Sequence, residues 1–221
     1  SVGDCAVEAS IAQDDRYLSA TSSTVTFQAR TGRTASLSVP SGALLSDGSV
    51  DVSATLSDGS TPTITAGPST VCRAVGTRIE LIGLGECSVS ATASVNGTHT
   101  GADSGTKVFR VGNPPNAPTV NGVSFNGNNA TIDISSAPGE GASDVDSYTV
   151  TATPQGGGNP ITVTCSTVPC VVPGMTLGAT YDFDVVANGR IGDLSVRSAV
   201  VEYGPVRAGR SGKTLPTTGL R

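Results

Sequence analysis

The chain contains no tryptophan, one methionine, one histidine and two lysines. It has no run of about 18 apolar residues, so no helix in it can cross a membrane. Charged residues are only 14% of the chain and its net charge is −5. A nucleic-acid binder carries a basic stripe that displaces counterions from phosphates, and none is present. A single histidine, His99, leaves little material for a metal site or a catalytic triad. Aromatic residues make up 4%. The core must therefore be built of Val, Ala, Ile and Leu, and the β-branched members of that set favour a pleated surface over a helix.

Glycine (28 residues) and proline (13) are abundant in the 221-residue chain, as suits many short strands joined by many turns. Polar and apolar residues alternate in Thr24-Val-Thr-Phe-Gln28, Ala35-Ser-Leu-Ser-Val39 and Val50-Asp-Val-Ser-Ala-Thr-Leu56. Each reads as a half-buried strand. The pattern continues through Arg78–Ile82, Glu86–Ala93 and Lys107–Val111, with turn clusters such as Ser46-Asp-Gly-Ser49 between the strands. Three prolines lie within Gly112-Asn-Pro-Pro-Asn-Ala-Pro118. Such a segment is a stiff linker rather than a central strand. Alternation resumes beyond it in Ala130–Ile134, Asp146–Ala152, Ile161–Cys165 and Tyr181–Asn188.

Strands at this spacing, with turn signals between them, suggest not a βαβ sheet but an all-β chain of two tandem sandwiches or barrels. Its parts are an N-terminal arm (1–23), a first sandwich (24–112), a linker (113–118), a second sandwich (119–204) and an exposed tail (205–221).

Five cysteines stand at 5, 72, 87, 165 and 170, as two pairs close in sequence and one left over. Zinc sites favour CxxC spacing or a histidine partner, so the close pairs read as disulfides formed in an oxidising compartment. Cys5 is left as an unpaired or intermolecular thiol. Asp144-Val-Asp146 supplies too few oxygen ligands for calcium. The segment Gly209-Arg-Ser-Gly-Lys-Thr214 has Arg207 where a phosphate loop needs its first glycine. His99, between two threonines in a turn, has no evident carboxylate to orient it, and no base for a cysteine nucleophile is visible. No enzyme activity, cofactor or metal is expected.

Three stretches carry resemblances. The second half, through Pro118, Ser147-Tyr-Thr-Val-Thr-Ala152 and Val172-Pro-Gly-Met-Thr-Leu-Gly-Ala-Thr-Tyr-Asp-Phe-Asp-Val-Val-Ala-Asn188, resembles bacterial fibronectin type III domains. The resemblance implies that Tyr181 is a buried tyrosine-corner residue, and that Cys165 and Cys170 form the disulfide of bacterial versions. The family's usual tryptophan is absent. The first half, through Ser69-Thr-Val-Cys72 and Leu81-Ile-Gly-Leu-Gly-Glu-Cys87-Ser-Val-Ser-Ala91, resembles bacterial Ig-like repeats. That implies a Cys72–Cys87 disulfide across a hairpin. Leu215-Pro216-Thr217-Thr218-Gly219 is similar to the LPxTG sorting motif of Gram-positive surface proteins, with Leu220 and Arg221 after it. By that resemblance a sortase cuts between Thr218 and Gly219 and joins Thr218 to the cell wall or another subunit.

Together these resemblances imply two tandem Ig-like and fibronectin type III-like β-sandwiches, in a non-catalytic, extracellular structural protein of a bacterial cell surface: a filament subunit or a stalk. A wall-anchored adhesin and a phage virion component are the alternatives. The expected partners are copies of itself or other surface proteins, sortase and the cell wall.

Overall fold

In a computed structural model, residues 2–135, 144–209 and 213–214 are described. They are almost entirely strand and turn, in an N-terminal ribbon and two packed units with separate cores.

The ribbon consists of β1 (Gly3–Val7), β2 (Ser10–Ile11), β3 (Ala20–Thr21) and β4 (Val25–Ala29). β1 pairs antiparallel with β4, and β2 with β3 further along the same hairpin. Residues 24–28 are expected to open the first sandwich, but among the described residues β4 is bonded only to β1. Alternation marks a strand and says nothing of its neighbour, which accounts for the difference.

The first packed unit comprises β5 (Ala35–Ser38), β6 (Gly42–Leu44), β7 (Ser49–Asp51), β8 (Ser53–Leu56), β9 (Thr63–Gly67), β10 (Cys72–Val75), β11 (Arg78–Leu81), β12 (Gly85–Ala93), β13 (Ala102–Asp103) and β14 (Lys107–Gly112). One sheet is built around β12, with β9 on one side, β13 and β14 on the other, and β6 parallel to β14 beyond. Opposite it stand β10-β11-β7 and the β5–β8 pair. The period-2 rule is visible in β12: Cys87, Val89 and Ala91 are buried between the layers, while Glu86, Ser88 and Ser90 alternate with them. Ile79, Phe109 and Val111 complete this core.

The second unit comprises β15 (Thr119–Asn126), β16 (Asn129–Ser135), β17 (Asp144–Pro154), β18 (Ile161–Cys165), β19 (Cys170–Val172), β20 (Thr180–Ile191), β21 (Leu194–Arg197), β22 (Val201–Arg207) and β23 (Lys213–Thr214). The order β19-β16-β15-β23 faces β18-β17-β20, and β21 and β22 share the free edge of β20. Apart from the parallel β6–β14 pair, both units are antiparallel sandwiches of the Ig-like and fibronectin type III-like class. With no tryptophan available, Ile132, Met175 and Phe183 fill the centre of the second core, each 0% exposed. Tyr181 is buried, and its hydroxyl accepts a hydrogen bond from the Thr176 amide at 2.9 Å. This is a tyrosine corner reaching a few residues upstream.

The sandwiches meet where β6 and the end of β14 approach the tip of the β20–β21 hairpin. Ile191 is 0% exposed there and lies outside both core clusters. The backbones come so close that a Cβ on Gly42 would stand 1.8 Å from the Ile191 carbonyl oxygen, and one on Gly192 2.1 Å from that of Ser41. Only glycine fits at either position. The strand directions then set the poles. β20 runs from Thr180, opposite Arg207, to Ile191 at the junction. Arg207 is therefore roughly 40 Å from the junction along a 12-residue strand. β12 leaves the junction at Gly85 and carries the chain to the Ser94–Thr100 loop at the far end of the first sandwich.

Candidate functional site

Two disulfides fasten the sandwiches. Cys72 on β10 joins Cys87 on β12 with S–S 2.03 Å and Cα–Cα 5.8 Å, tying the layers together where both residues are fully buried. Cys165 and Cys170, with Cα–Cα 5.6 Å, close the short connection between β18 and β19. Such bonds persist in oxidising compartments. Cys5 is a free thiol, half-buried on β1 opposite Phe27. The Leu215–Gly219 motif lies outside the described residues; β23, just before it, pairs with Val123 and Ser124 of β15.

A polar node at the far pole of the first sandwich gave no sequence signal, because the partners of Arg33 lie 25 to 67 positions from it. The Arg33 guanidinium, only 3% exposed, donates to Asp58 at 3.1 Å and to the Thr100 carbonyl at 3.1 Å. It also donates to the Ser94 carbonyl. Asp58 accepts from the Ser60 hydroxyl at 2.7 Å and from the Ser60 amide at 3.1 Å. Those bonds, with the neighbouring Arg33, hold its carboxyl down at about 2. The node anchors the segment that leaves β4, for Thr31 bridges His99 and its amide donates to the Thr98 carbonyl at 2.9 Å.

His99 stands beside this node, with Nδ1 3.8 Å from Asp58 Oδ2 and 2.9 Å from Thr98 Oγ1. A relay needs the carboxylate on one ring nitrogen and the nucleophile on the other. Here both oxygens face Nδ1, so Asp58, His99 and Thr98 do not form such a relay. Among the described residues no three His, Cys, Asp or Glu side chains are grouped to hold a metal ion. Shallow depressions lie on the described surface. One is lined by Asp182, Asp184 and Glu202, and Asp182 accepts from the side-chain Nε2 of Gln155 at 3.0 Å. Asp146 is spoken for by Arg190, at 3.5 Å.

The ribbon is the least covered element. Its pairing places Cys5, Val7, Val25, Phe27 and Ala29 on one face. Val7, Val25 and Phe27 are 56%, 62% and 54% exposed, and among the described residues no further strand is hydrogen-bonded to β1 or β4.

No family model matches the chain, and no curated protein matches it. Among solved structures it is similar to titin domains, at 14% identity over 90% of this chain and 74% of that one, with a TM-score of 0.48. It is also similar to the FN1–FN3 domains of chicken CNTN1, at 13% identity over 93% and 78%, with a TM-score of 0.44. A two-domain fibronectin type III segment of chicken tenascin shares 19% identity over 79% and 97%, with a TM-score of 0.36. The assignment to the sandwich class rests on the strand orders described above.

Proposed function

We propose that this chain is a non-catalytic structural segment of a bacterial surface protein: a stalk of sandwiches in series, joined to the cell wall through Leu215–Gly219. The observation that carries the reading is the junction. Two disulfide-stapled sandwiches meet through glycine-only backbone contacts around a fully buried Ile191, with their free poles at opposite ends. A flexible tether would leave such a hairpin tip solvated. A close junction transmits orientation from one sandwich to the next, which is what a spacer requires. The two disulfides suit an oxidising, extracellular setting.

By its resemblance, the tail supplies the attachment. A sortase cysteine takes the Thr218 carbonyl as a thioester and releases the amine of Gly219. A wall amine then displaces the thiol. The test is to incubate the 221-residue chain with a sortase and an oligoglycine probe, and to measure intact mass. The expected product lacks Gly219–Arg221 and carries the probe on Thr218, and Leu215→Ala abolishes it. An unchanged mass removes wall attachment from the reading.

A second reading, a subunit of an extracellular filament, is favoured by the uncovered apolar face of the ribbon. A neighbouring copy could cover that face or add a strand to its edge.

A further inference from the structure

The ribbon is a second copy of a hairpin the chain already contains. Gly3, Cys5, Val7, Ala9, Ala20 and Phe27 are identical to Gly85, Cys87, Val89, Ala91, Ala102 and Phe109, at a constant offset of 82 (85 less 3, 109 less 27). The offset holds through the intervening loop, so it is a property of a whole hairpin and not of one strand.

The pairing repeats it. Gly3↔Ala29 and Cys5↔Phe27 correspond to Gly85↔Val111 and Cys87↔Phe109. Ser10↔Thr21 and Ile11↔Ala20 correspond to Thr92↔Asp103 and Ala93↔Ala102. The hydrogen bonds repeat it as well. The Ala9 amide donates to Ser22 Oγ at 3.0 Å, as the Ala91 amide does to Ser104 Oγ at 3.0 Å. Asp14 Oδ1 caps the amides of Arg16 and Tyr17 as Asn96 Oδ1 caps those of Thr98 and His99. Gly3 and Gly85 share a φ that favours glycine, 146° and 134°.

What differs is the cover. In the first sandwich Cys87, Val89, Phe109 and Val111 are 0 to 2% exposed, packed under Cys72 and Ile79 of the opposite layer. In the ribbon the corresponding face is bare, and a two-stranded hairpin alone is marginal in water.

We propose that residues 3–29 are the closing hairpin of a further sandwich, and that the segment covering their apolar face is the polypeptide N-terminal to Ser1. Cys87 bonds a cysteine 15 residues before it. By the same offset, Cys5 bonds a cysteine about 15 residues before it, in that preceding segment. Its formation removes two electrons and two protons from the two thiols, passed to the disulfide-donating oxidant that also forms Cys72–Cys87. The ribbon is then the link between consecutive sandwiches, fastened through Thr31 and Arg33 to the pole of the next. This deepens the stalk reading but does not rest on it, and the transpeptidation assay is independent of the outcome.

The test is non-reducing peptide mapping of the natural polypeptide by mass spectrometry, with hydrogen exchange on it and on the 221-residue chain. The expected result is a Cys5 peptide cross-linked to one N-terminal to Ser1. The amides of 3–29 exchange at least roughly a hundredfold more slowly in the natural polypeptide than in the 221-residue chain. A natural polypeptide that begins at Ser1 overturns the proposal. So does an alkylatable Cys5, a Cys5–Cys5 bond between two chains, or equal exchange in both proteins.

Discussion

Replacing Gly42 by alanine tests whether the two sandwiches act as one stiff element. The new Cβ would stand 1.8 Å from the Ile191 carbonyl oxygen, where real Cβ atoms essentially never come within 3.0 Å of a backbone atom. The junction must therefore open by more than 1 Å, and a gap of that size forfeits much of the dispersion contact across it. Opening exposes Ile191, now 0% accessible, whose burial contributes about 1.5–3 kcal/mol. A loss of about 2 kcal/mol shifts the closed-to-open ratio roughly thirtyfold. Neither hydrophobic core is touched, so both sandwiches should remain folded. Small-angle scattering of Gly42→Ala should show a broader distribution of interatomic distances than the parent, and the Ile191 amide should lose exchange protection. Gly32→Ala is the control, since nothing lies within 4 Å of its added Cβ. If Gly42→Ala scatters and exchanges like the parent, the junction is not closed in solution, and the stiffness argument fails with it.

Four further outcomes follow from the geometry. Removing the Cys72–Cys87 bridge, which closes a 15-residue separation, should lower the stability of the first sandwich by about 3 kcal/mol; denaturant unfolding followed by exchange should show the second sandwich unshifted. Arg33→Ala leaves the Ser94 and Thr100 carbonyls without their donor, at a cost of roughly 1–3 kcal/mol. Arg33→Lys should not restore it in urea titrations, because one ammonium cannot span the forked set of acceptors. The carboxyl of Asp58 is depressed from 3.8 to about 2 in the folded chain, so its contribution is present above about pH 4 and is lost as pH falls toward 2; Asp58→Asn should flatten that part of a stability-against-pH curve. Tyr181→Phe deletes the acceptor of the Thr176 amide and should destabilise the second sandwich by about 1 kcal/mol in thermal unfolding.

Composition and period-2 alternation settled the fold class. β-branched residues spaced two apart, glycine and proline punctuation, and the absence of a helical apolar stripe all depend on neighbours a few positions away. Chain order alone displays them. The tyrosine corner was expected from the resemblance carried by Val172–Asn188, and in the structure the Tyr181 hydroxyl accepts from the Thr176 amide five residues before it. The hairpin repeat was also present in the sequence, as paired Gly-x-Cys-x-Val-x-Ala runs and matching phenylalanines. Its meaning was not, because only pairing shows that Cys5 meets Phe27 in the register in which Cys87 meets Phe109.

Tertiary structure decided the rest. That β4 leaves the first sandwich to join β1 depends on which edge a strand meets, and alternation does not encode that. The Arg33 node gathers residues up to 67 positions apart, and the glycine contacts at the junction bring residue 42 against residue 191. Local propensity acts over a few residues. Contacts of such separation are chosen only when two sheets bury their apolar faces together and the loops at their poles are carried into register.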